Sequence, residues 1–334
     1  MNSPLPEYGF ILPAASPSEV VAPSEAARLL DLGKAVSNFV ESSKAPNTRK
    51  AYRADWTEFK AWCAHYGRQT MPALAETVAY YLADESTRLK VSTLERRLAT
   101  ISEAHKAAGH ESPTQHAHVR LVWSGIKREK GTAQVHMKPT LTRHLRLMVE
   151  QLPDTLVGCR DRALLLLGFA GAMRRSELVG LHVADLAFAD EGLVAIIKRS
   201  KTDQTGEGRK IGIPFGTQAE TCPVKAVQKW LDESRIDEGP VFRAVSSSGM
   251  IRDTALSDRV VANVVKRTLT AAGKSSKLYA GHSLCAGLIT QAAMAGVSER
   301  AIQEQSGHKS LLVLRRYIRD GSLFRENAAG KVGL

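Results

Sequence analysis

A change of period near Pro139 is the feature that most limits what this 334-residue chain can fold into. From Ser24 to about Pro139 apolar residues recur at helical spacing. Beyond it, two short β-prone runs interrupt an otherwise helical pattern. In the first stretch Ser24 is placed to cap a helix through Ala26, Leu29, Leu30, Ala35 and Phe39. Asn47 is placed to cap a second, with Tyr52, Trp56, Phe59 and Trp62 on an apolar face. A shorter helix follows Pro72 through Leu74, Val78 and Tyr81. Ser92 and Glu95 have the spacing of a capping box that opens a helix stopped by Gly109. A fifth helix runs from about Pro113 through Val119, Val122 and Ile126.

After Pro139, helices at about 141–151 and 159–170 precede β-prone runs at 193–197 and 209–213. The polar, Gly-containing loop between those runs predicts a hairpin. Helices resume after Pro223, at about 256–273, 284–296, 299–306 and 310–318. The expected fold is therefore mostly α. An all-helical domain spans 24–131, a polar linker 132–139, and a mainly helical domain with a small antiparallel β element 140–334. Residues 1–23 hold five prolines and no basic side chain, so they are expected to form a mobile acidic tail.

Charge and cysteine usage narrow the class. Lys and Arg exceed Asp and Glu by 12, and the excess lies beyond the acidic lead, which favours a polyanionic partner such as nucleic acid. No run approaches eighteen apolar residues and no signal peptide opens the chain, so neither a membrane span nor secretion is expected. Cys63, Cys159, Cys222 and Cys285 are far apart and form no metal-ligand spacing. A disulfide framework or zinc site is not expected, which fits a reducing cytoplasm.

Four short motifs stand in order in the second half: Ala172-Met-Arg-Arg-Ser-Glu-Leu178, His282-Ser-Leu-Cys285, Ser306-Gly-His308 and Tyr317-Ile-Arg. Position 308 lies twenty-three residues after 285, and Tyr317 nine after His308. In order and at this spacing, the set resembles the tyrosine recombinases, the phage-integrase family, and most of all the Cre-type subgroup. The resemblance implies Arg174, Lys201, His282, His308 and Tyr317 as catalytic residues, with Glu177 in support. It also implies a site-specific recombinase, bacterial or phage-encoded, that acts on double-stranded DNA as a tetramer on two sites and needs no cofactor or metal.

Chemistry gives each residue type a reason. Phosphoryl transfer depends mainly on positioning and electrostatic stabilisation, so a guanidinium such as Arg174 on the nonbridging oxygens comes first. His282 and His308 can donate hydrogen bonds or move protons, and Lys201 can protonate the leaving 5′-oxygen. Tyr317 would attack phosphorus and form a 3′-phosphotyrosyl bond. Cys285 departs from the pattern, which has a second Arg there. A thiol makes no charged contact with phosphate, so impaired cleavage is expected, by about 10²–10³-fold for one lost donor.

Arg49, Lys50, Arg53 and Lys60 on the second helix, with Arg96 and Arg97 on the fourth, are the candidate DNA contacts. The resemblance also implies that the short segment after the nucleophile docks on a neighbouring protomer with Leu323 and Phe324 as anchors; packing of the two on their own domain is the alternative. Two other classes are compatible with the residues: a type IB topoisomerase-like relaxing enzyme, and a non-catalytic sequence-specific DNA-binding protein.

Overall fold

The computed structural model describes residues 23–132, 137–198, 200, 203, 206–246, 248–322 and 332. The chain forms two compact units that divide between residues 134 and 135.

The described residues of the first unit form helices and the turns between them: α1 (Pro23–Ser42), α2 (Pro46–His65), α3 (Ala75–Ser86), α4 (Val91–Ala107) and α5 (Ala117–Lys130). Its core takes Trp56, Phe59 and Cys63 from α2, a three-and-four spacing that sets one helical face. Val78, Tyr81 and Leu82 of α3, Leu94 and Ile101 of α4, and Val119 and Ile126 of α5 close on that face. Phe59 and Tyr81 meet edge to face with ring centroids 4.9 Å apart. Burial of a side chain such as Phe59 contributes roughly 1.5–3 kcal/mol, so four helices share a substantial core.

Helix starts differ from the sequence signals. Pro46 opens α2 with Ala45 as its cap residue, two positions before Asn47. Lys90 precedes α4, so Ser92 lies inside its first turn, where its backbone is helical and it does not act as the cap. Pro113 opens a separate 3₁₀ turn ahead of α5. Leu29, Leu30, Leu32, Val36 and Phe39 of α1 are exposed and stand outside the core.

The second unit begins with α6 (Thr142–Glu150), α7 (Leu156–Ala170) and α8 (Arg175–Val179). A three-stranded antiparallel sheet follows, β1 (Leu186–Ala189), β2 (Gly192–Ile197) and β3 (Arg209–Pro214), in that order. Then come α9 (Pro223–Ser234), the antiparallel pair β4 (Arg243–Val245) and β5 (Ile251–Ala255), α10 (Asp258–Ala271), α11 (His282–Met294), α12 (Glu299–Ser306) and α13 (Leu311–Ser322). The expected hairpin is thus β2–β3, extended by a strand the sequence did not announce. Gly192 permits the tight β1–β2 turn: at its φ of +152° an added Cβ would lie 2.2 Å from the Ile213 carbonyl oxygen.

α7 is the central helix of this unit. Ala163 through Leu167 are buried on every face, which a helix can be only when neighbours surround it. β2 and β3 point Leu193, Ala195, Ile197, Ile211 and Ile213 into the same core. α11 approaches the segment before α6 so closely that a Cβ on Gly287 would lie 2.1 Å from the Thr140 carbonyl oxygen. Among the described residues no helix is long and apolar enough to cross a membrane.

Candidate active site

The turn after α7 places Arg174. Ala172 adopts φ +46°, an uncommon conformation for a residue with a side chain, and is fully buried. Arg174 then stands at the N-cap of α8. Its backbone N–H donates to Glu177 Oε2 at 3.0 Å and its Nη1 to Oε1 at 2.6 Å. The Glu177 side chain has no solvent exposure, and a carboxylate buried to that degree requires cationic partners.

Arg209, the first residue of β3, supplies the other partner, with Nη2 3.0 Å from Glu177 Oε2. Its Nη1 donates to the Gln305 carbonyl at 2.7 Å, tying β3 to the end of α12. Gln305 Nε2 in turn donates to the Ala170 carbonyl at 2.9 Å. Gly307 ends α12 in the left-handed conformation, and a Cβ there would lie 2.6 Å from Arg209 Nε. Glycine at this point of Ser306-Gly-His308 is therefore required twice, by backbone and by space.

His308 follows and is buried, with Nδ1 2.9 Å from Ser306 Oγ. Gln303 Nε2 donates to its carbonyl at 3.0 Å. Burial lowers the imidazole to about 4, and Arg174, His282 and Arg209 oppose its charging further. It is neutral at physiological pH. His282 opens α11, and its Nε2 lies 2.9 Å from Tyr317 Oη on α13. The two imidazoles lie with ring centroids 6.2 Å from that of Tyr317.

Cys285, one turn beyond His282, sits in an apolar cluster with Ala172, Ile289 and Leu314. Burial pushes its thiol up to about 12, outweighing the opposing field of Arg174. It is a neutral packing residue, not a thiolate nucleophile. Lys201 lies outside the described residues. Asp203, two positions further on, accepts from the N–H groups of Gly208 at 2.8 Å and Glu207 at 3.2 Å.

The structure thus brings together Arg174, Glu177, His282, Cys285, His308 and Tyr317 from four helices and the turns between them. It adds Arg209 and Gln305, which the motifs did not single out. Strand alternation carried a signal for Arg209: on β3 it shares a face with buried Ile211 and Ile213. Leu323 and Phe324 lie outside the described residues.

In the first unit, Lys50 and Arg53 are exposed on α2 while Arg49 and Lys60 are half-buried. Arg96 grips Asp55 with two bonds, at 2.7 and 3.0 Å. The expectation of a DNA contact for Arg97 is corrected. Its side chain is buried, and Nη1 donates to Glu85 Oε2 at 2.8 Å and to the Tyr81 hydroxyl. A guanidinium held there supports the core rather than the surface.

Residues 144–322 match the sequence profile of the phage integrase family. The chain is 42% identical over 297 residues to an integrase/recombinase xerD homolog from Selenomonas ruminantium, covering 88% of this chain and 87% of that one. It is 28% identical over 280 residues to the recombinase cre of Escherichia phage P1, covering 78% and 80%. The fold is similar to a crystal structure of the XerH site-specific recombinase bound to a palindromic difH substrate, a post-cleavage complex. There the TM-score is 0.54 at 18% identity, over 77% of this chain and 70% of that one.

Proposed function

The chain belongs to the phage integrase family, the tyrosine recombinases, and from that premise we propose that it cleaves and rejoins duplex DNA through a 3′-phosphotyrosyl bond to Tyr317. The observation that carries this reading is the 2.9 Å approach of His282 Nε2 to Tyr317 Oη, beside the Arg174–Glu177 pair. Tyr317 Oη attacks phosphorus, and its proton passes to His282. The bond to the 5′-oxygen breaks, and Lys201 protonates that oxygen. Arg174 spreads the charge that develops on the nonbridging oxygens, and neutral His308 offers a further hydrogen bond. The steps reverse when a 5′-hydroxyl attacks the phosphotyrosyl bond. Position 285 contributes a neutral thiol to this scheme, a deficit of about 10²–10³ in rate if nothing else supplies the missing donor.

DNA recombination by this family supports a duplex DNA partner, read in part by Lys50 and Arg53. Four protomers on two sites complete the reading. An apolar recess of about 490 Å³ in the second unit, lined in part by Leu145, Phe169, Ile289 and Ile302, supports docking of a neighbouring protomer's 322–329 segment. Truncation after Arg319 should weaken assembly on DNA more than monomer binding; equal loss of both counts against docking in trans.

Tyr317→Phe tests the central step. On a duplex selected by this protein from a randomised pool, the variant should bind within about threefold of the parent and form no SDS-resistant adduct. An adduct that persists in the variant overturns the assignment.

A further inference from the structure

A second guanidinium enters the site from an element the motifs leave out. Arg209 and Arg174 each bind one oxygen of Glu177, so two cations share one fully buried carboxylate. Those three groups carry one unmatched positive charge, the complement of one phosphodiester. Both cations also reach solvent, with 13% of the Arg174 side chain and 18% of Arg209 exposed.

Arg209 is held from several sides. Glu177 and the Gln305 carbonyl fix its two terminal nitrogens, Gly307 lies against Nε, and the Nε–H is buried with no acceptor among the described residues. A cation fixed in this way loses little freedom when an anion arrives. Sharing Glu177 sets it beside Arg174, the guanidinium assigned to the nonbridging oxygens.

The geometry points to Arg209 as the second guanidinium that meets the scissile phosphate, delivered from β3 in place of an arginine at position 285. This assignment rests on the reading of Tyr317 as the nucleophile. Cleavage through this site then proceeds without a charge at 285, and a neutral residue there keeps a third cation out of the cluster.

The test is single-turnover adduct formation on the pool-selected duplex, with the cleaved bond mapped first. A second duplex carries a methylphosphonate at that bond, which removes the phosphate charge and leaves the leaving group unchanged. Arg209→Ala should slow adduct formation by about 10²–10³ on the phosphodiester, with DNA binding within threefold. On the methylphosphonate the same variant should lag by less than tenfold, because the charge it meets is gone.

A deficit of equal size on both duplexes would mark a purely structural role and overturn the proposal, as would an Arg209→Ala rate within threefold of the parent. Arg209→Lys keeps a cation beside Glu177 and serves in the same comparison should the alanine variant fail to fold. If the parent forms no adduct while Cys285→Arg does, the Arg209 assignment fails and the Tyr317 reading stands. If neither chain forms one, the Tyr317 reading fails.

Discussion

In the first unit Arg96 and Arg97 meet Asp55 and Glu85; in the second, Arg174 and Arg209 meet Glu177 alone. With Arg88 on Glu85 and Glu58 facing Arg97 the first cluster stays balanced, and its Asp55, Glu85 and Arg97 are buried. The second has a cation in excess, open on one side, with two imidazoles and a phenol beside it. A balanced buried cluster has no charge left for a ligand, and its desolvation cost is already met by its own partners. An unbalanced one is stabilised by the arrival of an anion. The difference separates arginines that hold a fold from arginines that can bind phosphate, although both kinds make short bonds to carboxylates.

The largest effect that separates the two is on stability. Arg97→Ala should destabilise the first unit by about 3 kcal/mol, since Glu85 then keeps only the exposed Arg88 and the buried Tyr81 hydroxyl loses its donor. Urea unfolding followed through the tryptophans of that unit measures it. A loss under about 1 kcal/mol would mean that this cluster is not the anchor the comparison requires.

Arg174→Ala should show the opposite signature. Glu177 keeps Arg209 and the backbone N–H of residue 174, so stability should change by less than about 1.5 kcal/mol. Adduct formation should fall by about 10²–10³. Unfolding that tracks the loss of activity would erase the distinction.

Two buried histidines extend the contrast to pH. His105 in the first unit accepts from the Ala73 N–H at 2.8 Å through Nε2, so Nδ1 carries the proton it shares with the Ile101 carbonyl. Burial alone is the main cause of its lowered pKa. His308 is lowered to about 4 by burial and by the surrounding cations as well. The unfolded chain takes up this proton near the ordinary value of about 6.5, so His308 contributes stability that is complete above 6.5 and is lost as pH falls toward 4. The contribution is at most about 3 kcal/mol. His308→Gln should flatten the stability profile of the second unit between pH 6.5 and 4, and an unchanged slope would place the acid sensitivity elsewhere.

Much of this is legible in the amino-acid order, and the exceptions have physical causes. The longer helices of both units follow from long apolar periodicities, and the order of Arg174, His282, His308 and Tyr317 is visible because each lies in a short local motif. β1 and the β4–β5 pair escape such a reading because strands of three to five residues carry too little alternation to stand out. Arg97 is misplaced by it because a basic residue on a helix reads as surface unless its distant acid is known, and Glu85 lies on another helix. Arg209 is hidden for a related reason. Among Lys198, Arg199, Lys201 and Lys210 it looks like one more solvated charge, and only its strand register tells it apart.

The smallest effect tests where the basic surface of the first unit lies. Lys50 and Arg53 are exposed on α2, on a helix whose other face is committed to Trp56, Phe59 and Cys63. Removing one phosphate-binding cation should reduce the slope of log affinity against log salt by about 0.9. Arg53→Ala should therefore reduce the slope by about one, and adding Lys50→Ala should reduce it by about one more. Arg96 is also exposed, but its Nε and Nη2 are held by buried Asp55, so its charge is already matched and turning it to a phosphate would leave that carboxylate partly unpaired. Arg96→Ala should leave the slope nearly unchanged while costing some stability. If the slope responds to Arg96 and not to Arg53, the DNA-facing side of this unit is the α4 side, and ion pairing has been given too much weight in telling the two kinds of arginine apart.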